Sequence, residues 1–235
     1  MNNDNDNLNY QAGEQAGQQA RLRNNMFVGV QVSPRTSTAP VCQLSSEEVR
    51  TALARVHQSC TELSPLLGNQ CMPTTRAHIT LLVTHVPEDK LQLAKDLVNT
   101  TLKANSHLAK KFEVELKGIN SFTGKGIHAE VGKGSDTLKE LNKVLESTFK
   151  EAGFRVTYMT RHDTYTPHVT IMKGGEIPRE AYQDVADSSL GTEEITGVQL
   201  LSMTKPYTMD GYYYCEGDFR LVPWQSLVFT HGPQV

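Results

Sequence analysis

The chain has 235 residues, of which 38% are hydrophobic and 21% are charged. Its net charge is −3 and its pI is about 6.2. That length fits one large domain or two small ones. Proteins that hold long nucleic acid through its phosphates are usually strongly basic, so the charge argues against a long duplex as partner. Any nucleic-acid partner is therefore expected to be short and bound in a pocket.

Cysteine usage and hydropathy indicate an intracellular protein. The four cysteines form neither a CxxC pair nor a compact zinc spacing. The N-terminus has no apolar h-region of a secretory signal, and no run approaches the roughly 18 apolar residues that span a bilayer. We therefore expect reduced thiols, a cytoplasmic or nuclear location and no membrane partner.

The domain boundaries follow from composition. Residues 1–24 are rich in Asn, Gln, Gly and Asp and contain few large apolar residues. Such a segment cannot bury enough surface to offset its ordering entropy, so we expect a disordered tail. One domain is predicted over 25–221, followed by a proline-interrupted C-terminal tail at 222–235.

The first half of the domain alternates strand and helix. MFVGVQV, residues 26–32, has the alternation of a strand. Ser45 or Ser46 can cap a helix whose apolar residues recur every three or four positions up to Leu63. A strand is predicted at 78–86, and a second amphipathic helix begins with Pro87 in its first turn.

The second half continues with strand pairs around one helix. Its helix has an apolar stripe from Leu138 to Phe149 and ends at Gly153. Strands are predicted at 112–119, 126–132, 155–160, 168–173, 197–203 and 211–219. This order favours an α+β domain with two similar lobes over a doubly wound parallel sheet.

Two of the predicted strands contain the same tripeptide, His-x-Thr. It occurs as His78 and Thr80 in AHITLLV, and as His168 and Thr170 in TPHVTIMK. Residues i and i+2 of a strand point to one face, so each copy presents an imidazole beside a hydroxyl. A single copy is common, and a buried histidine is usually satisfied by a backbone carbonyl. The second copy, in the matching half, favours one site built from both.

Two imidazoles and two hydroxyls in one cleft suit phosphodiester chemistry. One histidine removes a proton from the attacking oxygen, and the other protonates the leaving oxygen. The hydroxyls donate to the non-bridging oxygens, where charge builds in the transition state. An ordinary imidazole pKa of about 6.5 permits both roles, so neither a metal nor another cofactor is required.

The motifs HITLLV and PHVTIMK, with MFVGVQV and the late GYYYCE, resemble the 2H phosphoesterase superfamily of 2′-5′ RNA ligase-like proteins. Within it they most resemble the central domain of the gamma-type A-kinase anchoring proteins. The resemblance covers residues 26–219. It implies a bilobal α+β fold with pseudo-twofold symmetry and a central cleft that carries both motifs.

The resemblance also implies an activity and residue roles. Members act without metal on 2′-5′-linked oligonucleotides, 2′,3′-cyclic phosphates or related nucleotides. By this likeness His78 and His168 form the acid–base pair, while Thr80 and Thr170 bind phosphate. The anchoring proteins carry a kinase-docking amphipathic helix beyond this domain. The segment after Phe219 has no such stripe, so the sequence does not support kinase anchoring.

Three further residues are candidates for binding substrate. Tyr165 lies in the loop before the second motif, where an aromatic ring can stack on a base for about 1–3 kcal/mol. Phe122 offers a second stacking face or is part of the core. Arg76 can meet a phosphate or is simply solvated. The loop also contains Arg161 and His162, for which an ordinary polar loop is the alternative.

The remaining histidines indicate neither a metal site nor a further catalytic site. His162 and Asp163 beside His168 lack a further ligand at metal spacing. The remaining candidates are interpreted as surface or strand-face residues without a role: His85, His107 and His128. Two alternatives to an enzyme stay open, a non-catalytic module that binds AMP-like nucleotides and a protein-interaction domain. For the phosphodiesterase we expect a monomer.

Overall fold

The computed structural model describes residues 23–32, 47–122, 124–157 and 165–223. The predicted N- and C-terminal tails therefore lie almost wholly outside the described residues. The described part contains three α-helices, α1 (Glu47–Leu63), α2 (Leu91–Ala104) and α3 (Ser135–Glu151). Its nine strands are β1 (Met26–Gln31), β2 (His78–His85), β3 (Phe112–Asn120), β4 (Lys125–Val131), β5 (Arg155–Thr157), β6 (His168–Glu176), β7 (Ser189–Ile195), β8 (Gly197–Ser202) and β9 (Cys215–Arg220).

These strands form one antiparallel sheet. Eight of them follow the order β7-β3-β4-β6-β2-β1-β8-β9, and β5 pairs with β2 beside this path. The order divides into two halves that meet where β6 pairs with β2. Each half places one His-x-Thr strand innermost, which confirms the predicted α+β fold with two similar lobes.

The helices cover one face of the sheet. The apolar stripe of α3 is buried as its spacing predicts, and it shares one core with Val28 of β1 and Ile79 of β2. Burying one large aliphatic side chain contributes about 1.5–3 kcal/mol, so this face anchors the fold. No helix in the described part of the chain is both long and apolar enough to span a membrane.

Strand β7 was not predicted. Its sequence SLGTEEI contains a glycine and two glutamates, residues that are uncommon in strands. The strand forms because it extends the sheet beyond β3, where Phe112 pairs with Ile195. Long-range pairing therefore overrides a weak local preference.

The last predicted strand is shorter than expected. Residues 211–214 lie outside β9, which begins at Cys215. Gly211 has a φ of +81°, a left-handed conformation that interrupts an extended chain. Tyr212 is buried, and its hydroxyl donates to Gln199 Oε1 at 3.0 Å, which fixes this segment against β8.

Candidate active site

The two motif strands are neighbours in the sheet. Ile79 of β2 pairs with Val169 of β6, and these are the middle residues of the two tripeptides. In this antiparallel register the histidine of each motif aligns with the threonine of the other. Ile79 and Val169 are fully buried toward the helices, so the four motif side chains project from the opposite face. We call that surface the site face.

A β-bulge follows the first motif. The register of β1 and β2 skips Leu81, because Val28 pairs with Leu82 and Gly29 pairs with Thr80. A bulge places two residues of one strand opposite one of its partner and reverses the alternation of side chains. Beyond the bulge, the next side chain on the site face is therefore that of Val83.

The second motif is followed by a matching bulge. The register of β4 and β6 skips Ile171, because Ile127 pairs with Met172 and His128 pairs with Thr170. The residue that returns to the site face is here Lys173. Its ammonium group is close enough to lower the pKa of both motif histidines.

The residues opposite the two threonines differ. A Cβ at Gly29 would lie 2.9 Å from the carbonyl oxygen of Ile79, so no side chain fits opposite Thr80. The corresponding position opposite Thr170 carries the imidazole of His128. The two halves therefore share the backbone arrangement of strand and bulge, but they differ in the residue opposite the threonine: a glycine with the Phe27 ring beside it in one half, and an imidazole in the other.

Both motif histidines are held in the same tautomer. Nδ1 of His78 lies 2.7 Å from the carbonyl oxygen of Arg76, and Nδ1 of His168 lies 2.9 Å from that of Thr166. A carbonyl only accepts, so Nδ1 carries the proton in each ring. The neutral rings therefore keep a lone pair on Nε2, the atom available for proton transfer.

Aromatic rings surround His78. Its ring centroid lies 4.8 Å from that of Phe27 and 5.2 Å from that of Tyr213. Burial lowers the pKa of His78 to about 4, against the opposing effect of the Arg76 carbonyl. His78 is therefore neutral at physiological pH, with a lone pair on Nε2.

His168 lies against Phe122 and His128. The ring of Phe122 stacks on that of His128 with centroids 4.0 Å apart, and both rings contact His168 at 5.0 and 5.2 Å. Burial lowers the pKa of His168 and that of His128, the latter to about 4. Of the two alternatives for His128, a surface or a strand-face residue, the structure shows the second, since His128 lies in β4 and is 5% exposed. Only the register of β4 against β6 reveals its position.

Tyr165 has a contact that the sequence did not predict. Its hydroxyl donates to the carbonyl oxygen of Thr80 at 2.9 Å, and its ring packs against the main core. Burial raises the pKa of this phenol, so it remains a donor. The residue joins the start of β6 to the first motif, while its predicted stacking on a base stays a prediction.

Arg76 lies beside the segment that follows β8. Its Nε donates to the carbonyl oxygen of Gly211 at 2.9 Å, and its guanidinium carbon lies 3.5 Å from the ring centroid of Tyr207. Tyr207 is 49% exposed and its ring contacts that of Tyr213. The exposed ring of Tyr207 and the 37% exposed ring of Phe122 thus lie on opposite sides of the motif pair.

No metal cluster is found in the described ranges. Among those residues no group of three or more His, Cys, Asp or Glu side chains could hold a metal ion. Arg161, His162 and Asp163, which the sequence raised for the substrate loop and a metal set, lie outside the described residues.

Comparison with known proteins agrees with this geometry. The model of a family described as the AKAP7 2′5′ RNA ligase-like domain matches residues 41–221. The chain belongs to this family of 2H phosphoesterases. A-kinase anchor protein 7 isoform gamma of Homo sapiens is 26% identical over 189 residues, and the match covers 74% of this chain and 53% of that protein. The chain thus spans about half the length of that curated relative.

Solved structures share the fold at low identity. TT0787 of Thermus thermophilus has a TM-score of 0.57 at 20% identity, over 84% of this chain and 97% of that one. LigT of E. coli, solved with NADP+, has a TM-score of 0.56 at 14% identity, over 84% and 98% of the chains. LigT has also been solved with phosphate and with 3′-AMP. These likenesses show the fold of a 2H phosphoesterase.

Proposed function

We propose that this chain is a metal-independent phosphodiesterase that acts on 2′-5′-linked oligonucleotides or 2′,3′-cyclic phosphates. The observation that carries the proposal is the pairing of Ile79 with Val169, which aligns the histidine of each motif with the threonine of the other. The shared tautomer of His78 and His168 adds two Nε2 atoms suited to proton transfer.

We infer the roles of the two histidines from the low pKa of His78. His78, with a pKa of about 4, is neutral and acts as the base on the attacking hydroxyl. His168 then acts as the acid, with its imidazolium stabilised by the negative charge of the bound phosphodiester. On a 2′-5′ linkage the neighbouring 3′-hydroxyl attacks phosphorus and the 5′-oxygen leaves with the proton. The products are a 2′,3′-cyclic phosphate and a free 5′-hydroxyl.

On a cyclic phosphate, water replaces the ribose hydroxyl as nucleophile. Thr80 and Thr170 donate to the non-bridging oxygens, and the ammonium group of Lys173 adds positive charge on the same face. LigT, with the same fold, has been solved with phosphate and with 3′-AMP, which supports a nucleotide phosphate as ligand. Phe122 and Tyr207 offer exposed rings for bases on either side.

One observation favours a second candidate, a non-catalytic nucleotide-binding module. Burial lowers the pKa of His168 as well as that of His78, so the proton that the leaving group needs is scarce in the free protein. The same site face would then hold an AMP-like ligand without turning it over.

A product assay on a substrate panel tests the proposal. The panel contains 2′-5′ and 3′-5′ oligoadenylates, cyclic dinucleotides and 2′,3′-cyclic nucleotides, each with and without excess EDTA. We expect turnover of 2′-5′ oligoadenylate or of the 2′,3′-cyclic nucleotide, at the same rate in EDTA. Binding of AMP without turnover of any member would establish the non-catalytic module instead.

The pH dependence of kcat/KM should be bell-shaped with its optimum on the acid side of pH 6.5. Activity falls as pH drops through about 4, because His78 takes up a proton and ceases to be a base. It also falls as pH rises through the lowered pKa of His168, because the acid loses its proton.

The kcat profile should lie at higher pH than the kcat/KM profile, because the bound phosphodiester stabilises both imidazolium forms. Initial rates measured over the acid and neutral range at several substrate concentrations give both profiles. A kcat/KM that still rises above pH 6.5 would contradict the assigned roles.

A further inference from the structure

The residue that each register skips is buried, and its backbone carbonyl group accepts a hydrogen bond from a helix side chain. Leu81 and Ile171, which the registers skip, are each 1% exposed. A buried backbone carbonyl requires a hydrogen-bond donor, and a bulge disrupts the ladder that would supply one. Since each skipped residue directly follows a motif threonine, its donor also fixes the backbone beside the phosphate-binding hydroxyl.

The donor at the first bulge comes from α3. Asn142 Nδ2 donates to the carbonyl oxygen of Leu81 at 2.6 Å. Asn142 is 9% exposed and lies on the helix face formed by Leu138, Leu141 and Leu145, where the periodicity would place another apolar residue. A buried amide is costly unless it is paired, and this one is paired with the motif strand.

At the second bulge, a side-chain donor from α1 adds to a backbone donor. His57 Nε2 lies 3.1 Å from the carbonyl oxygen of Ile171, which also accepts from the backbone N–H of Met72 at 2.9 Å. Because the carbonyl only accepts, Nε2 of His57 carries the proton. The motif histidines carry their proton on Nδ1, so His57 is the opposite tautomer. Its Nε2–H group is used in the hydrogen bond to the Ile171 carbonyl.

We propose that Asn142 and His57 are positioning residues, each of which clamps the bulge after one His-x-Thr motif and thereby sets the direction of its histidine and threonine. The inference rests on the proposed phosphodiesterase function. The two clamps come from different helices on the face opposite the site, and each serves one half of the sheet. Replacing one of these residues should therefore affect the motif in its own half of the sheet and not the other motif.

Substitutions of the two donors test the proposal. Asn142→Leu removes the amide and keeps the branched shape and the number of heavy atoms, and His57→Phe removes the ring N–H. Each should lower kcat about 10–100-fold with little change in KM, since a small misplacement of reacting groups costs that much. His57→Gln keeps an N–H donor and should restore much of kcat.

The matched control is Thr148→Val on α3. Thr148 makes side-chain hydrogen bonds to Val144 and Thr101, away from the motif strands, and its loss should leave kcat unchanged. If Asn142→Leu does not fold, the smaller Asn142→Ala replaces it, because it removes the same hydrogen bond to the Leu81 carbonyl. Unchanged kcat in folded Asn142→Leu and His57→Phe would overturn the proposal.

Imidazole NMR signals provide a readout that does not depend on activity. Asn142→Leu should shift the Hε1 signal of His78 and leave that of His168, and His57→Phe should do the reverse. Equal shifts of both signals in each variant would show a general structural effect and overturn the proposal. If the wild-type protein turns over no substrate, the proposed function fails, and these shifts still decide whether the clamps position the motifs.

Discussion

Replacing either motif histidine with alanine is expected to lower kcat on 2′-5′ oligoadenylate by a factor of about 10²–10⁴. His78→Ala removes the base that takes the proton of the attacking hydroxyl. His168→Ala removes the acid that protonates the leaving oxygen. Both side chains are half-buried on the site face, outside the main core, so the variants should fold and still bind AMP. Product chromatography gives kcat, and calorimetry gives the AMP affinity.

The matched control is His107→Ala. His107 is a surface histidine whose Nε2 lies 2.9 Å from Glu140 Oε1, and an exposed pair of this kind contributes little to stability. The control should retain wild-type kcat. Wild-type turnover by His78→Ala or by His168→Ala would refute the acid–base assignment of that residue.

Removing the hydroxyl of a motif threonine should lower kcat nearly as much as replacing a motif histidine. Thr80→Val and Thr170→Val are each expected to lower kcat by a factor of about 10²–10³, the usual cost of losing one donor to a developing oxyanion. Valine keeps the β-branched shape that suits a strand, so the loss is confined to the hydroxyl. Single-turnover kinetics at saturating substrate measure the chemical step directly.

Thr192→Val provides the comparison for these variants. Thr192 is an exposed residue of β7, at the edge of the sheet, and its replacement should leave the single-turnover rate unchanged. A motif variant that raises KM and keeps kcat would show that the hydroxyl binds the ground state and the transition state equally. That result would assign the threonine to substrate binding alone.

The sequence alone predicted much of this arrangement because the relevant signals are local. Strand parity placed His78 with Thr80 on one face, and the apolar periodicity of α3 identified its buried stripe. The duplicated tripeptide by itself indicates a single site. The family match over residues 41–221 agrees with the resemblance that those motifs suggested.

Only the tertiary structure decided which residues surround the motifs, because register and bulges depend on pairing between distant segments. The pairing of β4 with β6 brings His128 beside His168, and the bulge after Thr170 turns Lys173 to the site face. The same long-range contacts give Asn142 a buried carbonyl to hold. The local sequence therefore determined the two motifs and the face of the strand on which their side chains lie. Pairing between strands far apart in the chain determined which charged, aromatic and hydrogen-bonding residues surround them.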